Sequence, residues 1–582
     1  MIKLIPVRFH KYYYSASCFL LLVGCKTAQQ NVIQHNYIAG EKNKGDLFYN
    51  TLLDVSIDIP ENVSYEDLSK INISTLRKRI GNYKDISAAK AILSYKTNQN
   101  LESYYFFEKI EKPTDTIVHE KLILNDSING IIIFEKQKGT KKVISLTRMS
   151  GNSNHLEMAN ENIRRVHLDS TSLNKLSYMH LFNYYTAEPH KNYLQGREKI
   201  KNAPIKDPRK TMFKPPLYLT INSFIGNNKE YNLLLKEHES DKSDFKQTVL
   251  NSLTKNEVKK EEAVIAAIGD LANDNQIIIL NEDHFYPKHR LFAMNLLDVL
   301  KEKGFTVISM ETFTPNYGTN TAPVPNAKNG FYIKDPYFGH FVRKANSMGF
   351  TLVGHENSDQ KVDREIGQAK NIMKILEKDP KAKIFIYVGH GHLEEEGKKR
   401  LMGSYLKQYS NIDPVTINQE TVMMKTKEKL VLLPKSVFAK DTLMKSSADY
   451  FVINNLEADL QSVYPNQSFK KVNLKDRKLS QFKNEELLVD IFLSEEYNAT
   501  KNADLLIPIQ SILVAPKNNT IEIDLPVGQY YITAKSAQNE LFQFNRNRSQ
   551  LMLQVISKKI PFSMVLKTGF LLCDLFLMTQ IL

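Results

Sequence analysis

The chain has 582 residues, 42% of them apolar and 24% charged, which describes a globular protein with more than one core rather than a disordered chain. Its formal charge of +14 is spread through segments such as "KNEVKKEEAV", where acids and bases interleave, with no long basic run and no aromatic–basic platform. That pattern argues against a nucleic-acid partner and fits a solvated basic surface facing anionic lipid or polysaccharide.

Residues 1–25 carry Lys3, Arg8 and Lys11, then the short apolar core Phe19–Val23, and close on Gly24–Cys25. This is the pattern of an export signal too short to span a membrane. "LLVGC" resembles the lipobox of bacterial lipoproteins, which implies acylation of Cys25, with palmitate among the chains attached, and a membrane contact through that lipid. Lys26 follows where inner-membrane retention commonly uses Asp, so the expected location is the cell envelope, at the outer membrane rather than the inner. Of the three cysteines, Cys18 would leave with the leader, and Cys25 and Cys573 would remain with no internal disulfide between them. The fold must therefore rest on its cores.

Residues 26–45 are polar and aperiodic and read as a tether. The region 46–260 is expected to mix strands ("ESYYFFEKI", "GIIIFEKQ", "KKVISLTRM") with helices ("SLNKLSYMHLFNYY", "KSDFKQTVLNSLTKNEV"), with "PPLYLTINSF" read as extended. No repeat or chemical motif stands out there.

From 261 to 425 the elements alternate. "QIIIL" (276–280), "FTVISM" (305–310), "TLVG" (351–354) and "KIFIYVG" (383–389) read as strands, separated by helices over "KHRLFAMNLLDVLKEKG", "PYFGHFVRKANSMG" and "DREIGQAKNIMKILEK". Pro287 suits a first helical turn and Gly304 a stop. Strands that are apolar on both faces and alternate with helices predict an α/β domain with a mostly parallel sheet under flanking helices. Residues 426–480 read as a connecting region. "ELLVDIFLS", "DLLIPIQSILVAP", "NTIEIDL" and "QYYITAKS" predict a small β-sandwich-like module over 481–560. Residues 561–582 form an apolar tail interrupted by Asp574, too broken to span a membrane.

Each of the four predicted parallel strands ends in ionisable groups: Glu282 and His284, then Glu311, then His355 and Glu356, then His390 and His392. The carboxyl edge of an open parallel sheet is where such folds bind ligands, so the four ends predict one shared polar site. A histidine oriented by a carboxylate can take a proton from water, and an arginine or second carboxylate can bind or polarise a substrate. Two or three imidazoles and a carboxylate would equally suit a divalent metal, with Glu282, His284 and His392 as its ligands, and the spacing leaves both readings open. Arg290, in the first turn of the following helix, is a further ligand-binding candidate beside His355, Glu356 and His390.

"LNEDHFYPKHR" followed by "VISMETF", with "DREIGQAKNI" and "IYVGHGHL", resembles the motifs of the ChaN-like haem-binding lipoproteins. The same elements resemble those of the erythromycin-esterase-like hydrolases and the wider TraB/Tiki group. The likeness spans residues 276–397, and the positions that match are Glu282, His284, Glu311, Arg364 and His392. It implies a small-molecule ligand, either haem held without turnover or an ester-like substrate, with the first-strand histidine, His284, activating water. His392 and Arg364 would then hold developing negative charge. Asn281 stands where the family usually has Gly, and His390 is additional to its last motif.

Overall fold

The structure is a computed structural model. It describes residues 36–555 with interruptions, its long unbroken stretches including 245–314, 324–359, 361–397 and 400–475. The leader with Cys25 and the tail 561–582 lie outside the described residues. Among the described residues no helix is long and apolar enough to cross a membrane. The chain divides into two compact units, one to Lys191 plus Asn202–Thr211, the other Asn192–Lys201 plus Met212 onward.

The first unit carries two antiparallel sheets. One has the order β1 (Asn36–Gly40), β2 (Asp46–Asn50), β3 (Val55–Ile59) and β8 (Val166–His167). The other has the order β4 (Ser64–Asp67), β5 (Lys90–Lys96), β6 (Glu102–Leu124) and β7 (Asn129–Ser150). Phe48, Val55 and Ile57 of the first sheet share a core with Tyr105, Phe107, Ile132 and Val143 of the second. Residues 36–40, expected within a polar tether, instead pair as β1, because Tyr37 and Ile38 lie level with Tyr49 and Phe48.

The second unit is built on an eight-stranded sheet with the order β12 (Thr351–Gly354), β11 (Phe305–Met310), β13 (Lys383–Gly389), β10 (Ile277–Glu282), β14 (Val415–Asn418), β16 (Tyr450–Asn454), β15 (Leu430–Pro434) and β9 (Lys259–Lys260). The pairings from β12 through to β16 are parallel, and β15 and β9 add antiparallel pairs. The fold is thus mixed α/β with a large, mostly parallel sheet.

Side-chain alternation along the strands divides the core into two layers. Ile278, Leu280, Ile308, Met310, Phe385 and Tyr387 face one layer, where Leu291, Phe292, Leu296 and Leu297 of the helix Pro287–Glu302 and Phe338, Phe341 and Val342 of the helix Pro336–Ser347 pack. Ile277, Ile279, Ile384, Ile386 and Val388 face the other, with Ala369 and Ile372 of the helix Arg364–Lys378 and Met402 and Leu406 of the helix Met402–Ser410. Fully burying one such side chain is worth about 1.5–3 kcal/mol, so the layers hold the strand register firmly.

The sheet runs past both expected limits of the domain. β15 and β16 come from the segment 426–480, where "LVLLP" and "YFVIN" are short apolar runs of the kind that buried strands use. "PPLYLTINSF" is not extended but helical, within Lys214–Phe224, with proline at its first positions, where no backbone N–H is needed. Its burial, from Leu217 to Asn222, outweighs the strand propensity of its β-branched residues.

Beyond the sheet, β17 (Phe469–Lys475) pairs with β20 (Thr520–Pro526), and β18 (Leu487–Leu493) lies between β19 (Gln510–Val514) and β21 (Gly528–Lys535). Leu474, Ile521 and Ile523 of the first pair share a core with Leu487, Val489, Ile491 and Ile532 of the second group. Gly226, at φ 62, passes so close to the Ser511 carbonyl that a Cβ would fall 1.7 Å from its oxygen. Arg343, on the helix Pro336–Ser347, grips Glu496 through Nε at 2.7 Å and Nη2 at 2.9 Å, and both side chains are largely buried. Replacing Glu496 with alanine leaves that guanidinium in a dry contact with one partner gone. The expected loss is about 3 kcal/mol, read as a lower urea midpoint.

Candidate functional site

The parallel register brings the predicted residues to one edge. Glu282 ends β10 level with Gly389 at the end of β13, and Met310 lies level with both Tyr387 and Gly354. Beyond these positions the chain turns off the sheet and the side chains open onto a cavity of about 320 Å³. Its wall includes Glu282, His284, Glu311, Glu356, Arg364 and Gly389 on the sheet-edge side. Facing them are the aromatic residues Phe313, Phe331, Tyr332 and Phe338.

Glu282 is the most heavily held of these groups. His284 Nδ1 lies 3.0 Å from its Oε1, Arg290 donates to both oxygens (2.9 and 3.1 Å), and the Tyr387 hydroxyl donates to Oε2 at 2.9 Å. Burial alone would push this carboxyl up, but Arg290 and His284 outweigh it and hold Glu282 down at about 2. It is therefore an ionised acceptor, and His284 must carry its proton on Nδ1, leaving Nε2 as the basic nitrogen. The imidazole is pinned on one face by Tyr332, stacked at 3.8 Å and 12°, and meets His390 edge-on at 4.7 Å. Its free edge passes directly over Gly389. A Cβ there would fall 2.2 Å from His284 Cε1 and 2.5 Å from Nε2, so only glycine leaves room for the ring.

A second ionic group lies alongside. Arg364 begins its helix after the Asp363 cap, donates to both oxygens of Glu356 (3.0 and 2.5 Å) and to Glu311 Oε1 at 2.5 Å, and stays half exposed. Glu311 Oε2 accepts the Gly389 N–H at 2.6 Å. Burial opposes ionisation of Glu311, yet His392, His284 and the Gly389 N–H hold its carboxyl far below the ordinary range. His392 places Nδ1 2.7 Å from Glu365 and Nε2 3.2 Å from Arg364 Nη1. Burial works against its charge, but Glu311 and Glu365 prevail and raise it to about 9, so it is an imidazolium at neutral pH. The Arg364 guanidinium and the His392 imidazolium thus meet at 3.2 Å and share Glu311, at 2.5 and 3.5 Å, while Arg364, half exposed, lines the cavity.

The remaining predicted residues fall elsewhere. Arg290 is wholly buried and is not part of this cavity's wall; its guanidinium spans Glu282 and Asp335. His355 is also wholly buried, its Nδ1 2.8 Å from Ser309 Oγ, and desolvation pushes it down to about 3, which keeps it neutral. The strand β12 ends a residue before His355, and the side chain, bonded to Ser309 of β11, is not part of the cavity wall. His390, half exposed at φ 45, pairs with Glu420 at 3.1 Å, and that contact raises it to about 9. Among the described residues Asp283, His390 and Glu420 form the group whose ligand atoms lie within 4.8 Å of one another, whereas Glu282, His284 and His392 are not so gathered. The Glu282 oxygens are already committed to Arg290, Tyr387 and His284, and His392 Nδ1 to Glu365.

Tyr332, Tyr387, Asp335 and Glu365 were not singled out from the sequence. Tyr387 sits inside an apolar strand run, where a lone hydroxyl gave the only signal. Tyr332 and Asp335 belong to an irregular segment whose approach to the site is set by tertiary contacts.

No protein-family model and no curated protein matches the chain. Among solved structures it is similar to the type III effector HopBA1, at 10% identity and TM-score 0.25, over 35% of this chain and 100% of that one. It is also similar to RRSP, a MARTX toxin effector domain from Vibrio vulnificus CMCP6, at 17% identity and TM-score 0.22, over 42% of this chain and 55% of that one. The C-terminal region of Pasteurella multocida toxin matches at 11% identity and TM-score 0.22, over 48% and 39%. The chain thus spans about half the length of RRSP and less of the Pasteurella toxin region, and likenesses of this size decide nothing about activity.

Two outcomes follow from this geometry. Gly389→Ala is expected to leave the fold intact by circular dichroism while displacing His284, seen as loss of its hydrogen-bonded Nδ1 proton in the NMR spectrum. For His392, the folded-state value of about 9 lies above the ordinary 6.5, so its contribution to stability is complete below pH 6.5 and is lost as pH rises through 9. The urea midpoint should fall over that window, and Glu365→Gln should flatten the fall.

Proposed function

We propose that the chain is an envelope lipoprotein whose parallel-sheet domain hydrolyses a small ester, amide or lactone, in the manner that its likeness to the erythromycin-esterase-like group implies. The observation that carries this reading is the Glu282–His284 pair, held in one orientation on the cavity wall with Nε2 over Gly389. His284 Nε2 takes a proton from water as its oxygen attacks the carbonyl carbon. The negative charge that grows on the carbonyl oxygen faces Arg364, backed by the His392 imidazolium. When the intermediate collapses, the bond to the leaving oxygen or nitrogen breaks and the imidazolium returns its proton there. The basic leader ending in "LLVGC" supports the lipid anchor at Cys25, and Lys26 after it supports an outer-membrane location.

A second reading, metal-dependent hydrolysis as in the Tiki group, is favoured by the Asp283, His390 and Glu420 group beside His284. Haem capture without turnover has no comparable support in the geometry, since Glu282 and His392 are occupied by neighbouring side chains.

A panel of small esters, amides and lactones should give turnover by residues 26–582 that falls about 10³-fold in His284→Ala, within the range general-base loss produces. Arg364→Ala should lower kcat as well, by about 10²-fold. Turnover that survives His284→Ala in a folded protein would overturn the assignment. Turnover that withstands chelation favours the metal-free form, and turnover abolished by it favours the second reading.

A further inference from the structure

A carboxylate behind a general-base histidine serves to orient the ring and to balance the positive charge that appears when it takes a proton. Glu282 does the first, but both its oxygens are bound by Arg290, and a guanidinium at 2.9 and 3.1 Å largely cancels the carboxylate's charge as seen from His284. Taken alone, the pair would leave the imidazolium with no counter-charge behind it, since Glu311 on the other side of Gly389 is already shared by Arg364 and His392.

Asp335 restores it. Its Oδ2 lies 3.1 Å from Arg290 Nη1, on the side of the guanidinium away from Glu282, and both side chains are fully buried. The contact lacks the alignment of a hydrogen bond, so it acts as charge against charge. With Glu282, Arg290 and Asp335 all ionised, the buried trio carries one net negative charge rather than none. Ser223 Oγ donates to the same Asp335 oxygen and holds it in place.

Asp335 also governs the ring that covers His284. Its other oxygen accepts the N–H groups of Tyr337 and Phe338, capping the helix Pro336–Ser347, and its own N–H bonds to the Tyr332 carbonyl at 3.1 Å. Tyr332, three residues earlier, is the residue stacked on His284. Arg290 Nη2 meanwhile donates to the His284 carbonyl at 2.6 Å, so the histidine's backbone, its carboxylate partner and its covering ring all refer to one buried ion pair.

We propose that Asp335 is a positioning residue for the His284 site, acting through Arg290 to leave the buried network net negative and through the 331–335 turn to seat Tyr332. The proposal rests on the hydrolase reading for its kinetic arm alone. Asn serves as well as Asp at a helix N-cap, so a purely structural role would be met by Asp335→Asn, whereas the charge role would not.

The test compares Asp335→Asn with the wild type in residues 26–582. In the resting protein, without substrate, the His284 Nδ1–H resonance, assigned by its absence from His284→Ala, should move upfield as its bond to a more fully neutralised Glu282 weakens. On an ester that His284 turns over, kcat should fall about tenfold with KM changed less than about twofold, the signature of a group acting only on the transition state. A resonance and a kcat both at wild-type values would overturn the proposal, as would a raised KM with kcat unchanged. Should Asp335→Asn fail to fold, Asp335→Ser, which keeps a capping oxygen, takes its place with the same expectations. If neither variant folds, the role is structural and the proposal falls. If no ester is turned over but the resonance moves, the coupling stands and the hydrolase reading fails.

Discussion

A guanidinium with no access to water cannot be left unmatched, and Arg290 is fully buried. Much of the second unit is arranged so that it is not. Glu282 reaches it from the end of β10, Asp335 from the cap of the helix Pro336–Ser347, and the His284 carbonyl from the turn between strand and helix. Breaking such a buried pair costs about 3–5 kcal/mol, so the elements that carry these partners are held together through it. The ion pair therefore links strand, helix and irregular segment at the edge where the cavity opens.

That arrangement separates two tasks that the edge residues could otherwise confuse. One group, around Glu282 and His284, is buried and rigid, with the imidazole fixed by its carboxylate, by Tyr332 and by the bare backbone of Gly389. The other, around Arg364, Glu311, Glu356 and His392, is wetter and keeps a half-exposed cation facing the cavity. A histidine held by a carboxylate beside a half-exposed guanidinium suits chemistry in which a proton leaves water and negative charge appears on the substrate. The opposed protonation of neighbouring histidines has the same origin. His355 is neutral because it is buried without a carboxylate in contact, whereas His392 is charged because Glu311 and Glu365 flank it.

The helix Pro336–Ser347 joins this site to the strands beyond it. Its first turn is capped by Asp335, and farther along Arg343 grips Glu496 and His340 bonds to the Ile509 carbonyl. His340 is neutral for the reason His355 is, burial pushing it down to about 3. The segment that carries Glu496 and Ile509, between β18 and β19, is thus anchored to the same helix whose start orders the site.

The apolar runs, their alternation with helical stripes and the polar groups at their ends were enough to place β10, β11, β12 and β13 and to gather Glu282, His284, Glu311 and Glu356 around one edge, whereas Arg364, on a helix, was reached only through the family resemblance. Local pattern suffices there because a strand buried on both faces must be apolar throughout, and a parallel sheet must align its carboxyl ends. The same pattern could not say that β15 and β16 extend the sheet, since a short apolar run looks alike in a core strand and a connection. Nor could it say that "PPLYLTINSF" would coil into a helix, where burial overrides residue preference. It was equally silent on which edge residues face a ligand. Arg290 and His355 turn inward, and Tyr332 and Asp335 arrive from distant positions, because side-chain direction at a strand end is settled by packing partners far apart in the chain. Residue types determined the chemistry available at the edge, and tertiary packing decided which of those residues the cavity meets.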